Sequence, residues 1–168
     1  MIHNFKILFF LTTLLVLCGF SWTKIDWDSI NRSIDKKYPS IASISTESLK
    51  KKLERQDTIT IIDVRESDEF KVSHLPKAIN ETDPRKINLP LETTIIVYCS
   101  VGVRSAKFAK TLNKRGYVNI FNLRGSIFEW ANNGYPLKRA EQTVTVVHPY
   151  NKKWGNLVKK SLHAYHVQ

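Results

Sequence analysis

Two short apolar runs, Thr58 to Ile62 leading into Asp63 and Thr94 to Tyr98 leading into Cys99, constrain this chain more than any other feature. Both are rich in β-branched residues and lack polar alternation, which is the pattern of strands buried on both faces of a parallel sheet. Parallel neighbours need a crossover, and helical patterns stand where crossovers would fall. Ser45 is placed to cap a helix over Thr46 to Arg55, with Leu49 and Leu53 on one face and Lys50-Lys51-Lys52 on the other. Ser105 to Arg115 reads as a second helix, closed by Gly116, and Ser126 to Asn132 as a third, stopped by Asn133-Gly134 ahead of Pro136. Ala78-Ile79 and Val118 to Asn122 add strand candidates. The alternation predicts an α/β domain of three layers, a central parallel sheet flanked by helices, with its site at the carboxyl ends of the strands.

Cys99 and Asp63 occupy two such strand ends. After Cys99 the chain runs Ser100-Val101-Gly102-Val103-Arg104-Ser105 into a helix. Backbone N–H groups of that loop and the helix N-terminus can turn toward the thiol and stabilise a sulfur anion, with Gly102 free to take a geometry closed to other residues. A free thiol with a pKa near ~8.5 is only a few per cent ionised at neutral pH, so a nucleophilic cysteine needs such a loop. A strand-end cysteine alone would read as an inert buried thiol; the loop makes Cys99 the candidate nucleophile and Arg104 the candidate ligand for an anionic substrate. Asp63 and Arg65 read as structural support, with Arg65 and Glu69 forming a local ion pair and Asp63 capping a turn. His74 reads as a hydrogen-bonded structural histidine.

The ends of the chain carry different signals. From Ile7 to Thr23 there is no charged side chain, and Lys6 with the terminal amine forms a positive start, so residues 1–23 are expected to be a signal peptide or an N-terminal membrane anchor. Either outcome puts the body outside the cytoplasm, in the periplasm or tethered to the membrane. Leu17 argues against lipidation of Cys18, and removal of the segment would leave Cys99 as the sole cysteine. Residues 24–40 read as a spacer containing a short helix ended by Pro39, 41–139 as the domain, and 140–168 as a basic C-terminal extension. In that extension Thr143 to Val147 is a strand candidate, and Trp154, Leu157, Val158, Leu162 and Tyr165 share a helical face. The plainer expectation is a helix packed on the domain; the sharper one is a helix that docks on a membrane or a protein partner. The formal net charge of +11 suits nucleic acid, anionic lipid or small anions equally, but no basic motif interleaved with aromatics and no zinc-type Cys/His spacing is present. No nucleic acid, metal or cofactor is expected.

Ile62-Asp63-Val64-Arg65, Glu69-Phe70, His74-Leu75-Pro76, Ala78-Ile79-Asn80, Tyr98 to Ser105, Leu123-Arg124-Gly125-Ser126 to Trp130, and Gly134-Tyr135-Pro136 closely resemble a single-domain rhodanese, from about Ile41 to Lys138. Ser73 and Lys77 stand where that family commonly has glycine. The resemblance implies sulfane-sulfur transfer: Cys99 attacks a donor such as thiosulfate, holds a persulfide, and passes sulfur to a thiol or cyanide. It also implies a substrate cradle of Ser100, Val101, Gly102, Val103, Arg104 and Ser105.

Two neighbouring readings have their own signatures. The phosphatases and arsenate reductases on the same fold need five residues between cysteine and arginine, and this chain has four between Cys99 and Arg104. A noncatalytic binding module, or a persulfide carrier serving a partner protein, stays open on the strength of the basic extension.

Overall fold

The computed structural model describes residues 25–167; the expected signal segment and Cys18 lie outside them. Its strands are β1 (Ala42–Ile44), β2 (Thr60–Asp63), β3 (Ala78–Asn80), β4 (Ile95–Tyr98), β5 (Ile120–Leu123), β6 (Leu137–Arg139) and β7 (Gln142–Val144). Its helices are α1 (Trp27–Lys37), α2 (Thr46–Glu54), α3 (Ser67–Val72), α4 (Val103–Lys114), α5 (Ser126–Asn132) and α6 (Lys152–Gly155).

The first five strands form one parallel sheet in the order β1-β5-β4-β2-β3. All four residues of β4 are buried, as its unbroken apolar run requires of a central strand. Period-two alternation sorts the strand between the layers. Ile95, Val97 and Cys99 join Phe108, Ala109 and Leu112 of α4, whereas Ile96 and Tyr98 join Leu49 of α2 and Ile127 and Trp130 of α5. From β2 the chain moves outward to β3, and from β4 it moves the other way to β5. The crevice beyond the ends of β2 and β4 is therefore a topological switch point, where such sheets place their sites. Asp63 and Tyr98 pair in register there.

Both flanking regions differ from expectation. Residues 25–40 contain the expected short helix but pack on the domain and do not merely space it: α1 buries Ile30 and Ile34, with Tyr38 just past its end, against Ala106 of α4. Each side chain of that kind contributes about 1.5–3 kcal/mol when fully buried. The extension contains no continuous helix from Trp154 to Tyr165. Instead β7 turns back on β6, α6 lasts four residues, and a single 3₁₀ turn covers Lys160–Leu162. Val147 lies across from His163, and the Asn132 side chain at the end of α5 bonds Leu157 O and Lys159 N–H. Trp154, Leu157, Val158 and Leu162 still reach the core, but from a short helix, a turn and a 3₁₀ turn in succession. Gly155 ends the helical pattern, and an added Cβ there would lie 3.0 Å from Pro149 Cβ. Tertiary contact thus outweighs helical periodicity. Among the described residues no helix is long and apolar enough to cross a membrane.

Candidate active site

Cys99 follows β4 directly and is 1 % exposed. Gly102 N–H donates to its Sγ at 3.1 Å, a contact made possible by the left-handed Gly102 backbone (φ +103°) that caps α4. A side chain at residue 102 would also crowd Ile34 Cδ1 of α1, 3.2 Å from the added Cβ. The helix begins at Val103, two residues earlier than the sequence suggests. Val103, Arg104 and Ser105 therefore fill its first turn, where backbone N–H groups have no carbonyl within the helix to bond. Ser105 Oγ lies 3.6 Å from Sγ and 2.7 Å from Asn122 Oδ1. A hydroxyl has one proton, and the shorter contact takes it, since Asn122 Nδ2 donates to Gly102 O and so turns Oδ1 toward Ser105. Gly102 N–H is then the direct donor to sulfur.

The far side of the loop is held by α5. Ile127 N–H and Phe128 N–H donate to the carbonyls of Cys99 and Ser100, both at 3.2 Å, and Cys99 N–H donates to Ser126 Oγ at 3.3 Å. Val101 packs into the α2/α5 core, and Val103 faces solvent.

Arg104 grips Glu69 in a two-pronged pair, Nη1 to Oε2 and Nη2 to Oε1, each 2.8 Å, and Nη2 reaches Ser100 Oγ at 3.0 Å. Ser100 Oγ in turn donates to Glu69 Oε1. This fork fastens the cysteine loop to α3. Burial pushes the Glu69 carboxyl up, but the fork outweighs it and leaves the group below its ordinary value. Arg104 also borders a cleft of about 300 Å³ with Val64, Glu66, Thr82, Lys107 and Phe108.

The expected Arg65–Glu69 pair is not made, because Glu69 belongs to Arg104. Arg65 instead folds back on Asp63, with Nη2 to Oδ2 at 2.6 Å and Nε to Oδ1 at 2.9 Å, both residues fully buried. It also donates to Ser73 O at 2.7 Å, and Asp63 accepts the Arg65 backbone N–H, so Asp63 does close a turn. Burial disfavours the Arg65 charge, but Asp63 more than restores it. Asp63 and Arg65 brace the loop after β2 and make no hydrogen bond with Cys99. Desolvation raises the Tyr98 phenol well above its usual range, and its hydroxyl accepts Leu75 N–H. His74 stacks on Phe70 at 4.1 Å, with Nδ1 3.0 Å from Leu75 O.

Two residues at the site escape the sequence reading, and a third, Glu69, pairs with Arg104 and not with the arginine nearest in sequence. Asn122 was visible as a lone amide in a buried strand, and Tyr150, whose ring lies 4.7 Å from the Arg104 guanidinium, left no local signal.

A parallel α/β sheet whose central strand ends in a cysteine that accepts a backbone N–H at a helix N-terminus defines a cysteine-loop protein of the rhodanese fold. The chain belongs to the family of the rhodanese-like domain, whose model matches residues 45–133. It is 29 % identical over 105 residues to a sulfurtransferase of Allochromatium vinosum, covering 60 % of this chain and 98 % of that one. It is 28 % identical over 120 residues to the thiosulfate:glutathione sulfurtransferase of Saccharomyces cerevisiae, covering 61 % and 86 %. A rhodanese-related protein of Thermoplasma volcanium superposes with a TM-score of 0.52 at 28 % identity, over 58 % of this chain and 98 % of the other. Other relatives are longer than the shared stretch: of a putative sulfur carrier protein of Bacillus subtilis the chain spans 51 %. Together these likenesses support a rhodanese-type sulfur-transfer function.

Proposed function

We propose that the protein is an exported sulfurtransferase in which Cys99 carries sulfane sulfur from thiosulfate, or a related small anionic donor, to a thiol or cyanide. The observation that carries this reading is the Gly102 N–H directed at Cys99 Sγ at the start of α4. The Cys99 thiolate attacks the outer sulfur of thiosulfate. The new S–S bond forms as the S–SO₃ bond breaks, and its electron pair leaves with sulfite. The resulting persulfide anion occupies the field of the first-turn N–H groups of α4. A thiolate or cyanide then takes the terminal sulfur, and the bonding pair returns to Cys99 as thiolate. Ser100, Val101, Gly102, Val103 and Ser105 supply the cradle, while Arg104, anchored by Glu69, keeps positive charge at its entrance.

The test is intact mass after incubation with thiosulfate. The purified protein is expected to gain one sulfur that a reductant removes, and Cys99→Ser to gain none. A reduced, folded sample that gains nothing would overturn the reading. A second reading, a persulfide carrier for a partner protein, draws on the likeness to the putative sulfur carrier. Export rests on the uncharged stretch Ile7 to Thr23. It predicts that protease added to spheroplasts digests the body, and full protection would refute it.

A further inference from the structure

Tyr150 comes from the extension beyond the family match, yet its ring lies over the guanidinium of Arg104, in the first turn of α4, at 4.7 Å. Its delivery is built into the backbone. Tyr150 holds a left-handed conformation (φ +64°), which an L residue with a bulky side chain keeps only when its surroundings fix it. Tyr150 N–H donates to His148 Nδ1 at 3.1 Å, and Asn151 N–H to Pro149 O at 2.8 Å. Asn151 then caps α6 through Trp154 N–H, and Gly155 closes against Pro149. Behind the turn, Val147 exchanges backbone bonds with Leu162 and Ala164 and is fully buried. The rest of the turn is anchored while Tyr150 stays 44 % exposed, so it forms a rim over Arg104 instead of filling a core.

We propose that Tyr150 is a positioning residue that sets the preference of Cys99 for anionic reactants. This rests on the reading of Cys99 as the reacting thiol. Glu69 holds two nitrogens of Arg104, and the Tyr150 ring lies 4.7 Å from the guanidinium carbon, a contact favoured by the ring quadrupole. Held from both directions, the guanidinium keeps its charge at the loop entrance. Without the ring it gains rotamers and water, and the directed field weakens.

The experiment compares alkylation of Cys99 by iodoacetate, an anion, with that by neutral iodoacetamide; in each the thiolate displaces iodide. Wild type, Tyr150→Phe and Tyr150→Leu are used, with thermal melts confirming folded protein. The iodoacetate-to-iodoacetamide rate ratio is expected to fall about three- to tenfold in Tyr150→Leu, the scale of a partly exposed cation–π contact, and to stay within about twofold of wild type in Tyr150→Phe. Simple loosening of the extension would raise both rates and leave the ratio unchanged, which would overturn the proposal. So would a ratio that falls equally in Tyr150→Phe. Because alkylation needs no sulfur donor, the result stands apart from the thiosulfate mass test: a protein that fails to load sulfur but shows the ratio change refutes the sulfur-transfer reading alone.

Discussion

Two arginine–carboxylate pairs sit within one crevice and do opposite work. Asp63–Arg65 is a neighbour pair, two residues apart, with both side chains at zero exposure; Glu69–Arg104 joins α3 to α4 across 35 residues, with Arg104 still 30 % exposed. The closed pair holds a local turn and the Ser73 carbonyl, and leaves Arg65 Nη1 and Ser73 Oγ without a protein partner. The open pair leaves no such buried atom and ties the cysteine loop to its neighbour. Complete burial makes a pair costly to break, and partial exposure makes a pair adjustable. The first therefore belongs to the fold and the second to the site.

Breaking the closed pair is expected to have the largest effect. Asp63→Asn leaves a fully buried guanidinium uncompensated and should destabilise the protein by about 3–5 kcal/mol in urea unfolding. The double variant Asp63→Leu/Arg65→Met removes both charges and should recover much of that loss. If the single variant cost less than about 1 kcal/mol, the pair would not be the buried anchor described here.

The two pairs were not equally legible in the sequence. The strand runs set the sheet, and the run Thr94 to Tyr98 becomes the strand Ile95–Tyr98, one residue shorter, because a central strand's environment is written in its own four residues. β1 was missed because Ala42–Ile44 is short, lies at the sheet edge and carries only one partly buried residue. The Cys99 loop was readable because strand, thiol, glycine and helix are contiguous. Pairing was not, since proximity in sequence put Glu69 with Arg65, whereas the folded chain puts it with a residue of α4. The extension failed for the same reason: its apolar spacing fits a helix, but the sites it fills on α5 and the core are set by distant elements.

Opening the second pair should cost less stability and more activity. Glu69→Gln keeps the shape but loses the charge, and water can reach the freed Arg104, so about 1–2 kcal/mol is expected. Sulfur loading of Cys99 should slow by about tenfold as the loop loses its tether, on the scale of one charge-assisted hydrogen bond. The pH dependence gives a separate handle. Glu69 titrates below its ordinary 4.5 when folded, so its contribution is present above about pH 4.5 and is lost as the pH falls through the folded value. Stability measured from pH 6 down to about 3 should therefore fall more steeply in wild type than in Glu69→Gln. Parallel curves would remove Glu69 from the acid limb.

The smallest effect lies at Lys77, in the stretch between the Ser73 carbonyl that Arg65 holds and β3. Ser73 and Lys77 both replace glycines common in the family, but the backbone treats them differently. Ser73 is extended (φ −172°), which any residue adopts, whereas Lys77 sits at φ +60°. A left-handed lysine costs about 1–2 kcal/mol of backbone energy, and glycine returns part of that as added freedom in the unfolded chain. Lys77→Gly should thus stabilise the protein by about 0.5–1 kcal/mol in urea unfolding, and Ser73→Gly should not stabilise it. Neither residue touches the Glu69–Arg104 fork, so the rate of Cys99 sulfur loading should not move with Lys77→Gly. A change in that rate would mean that the closed pair's loop and the cysteine loop are coupled, and the division between fold and site would fail.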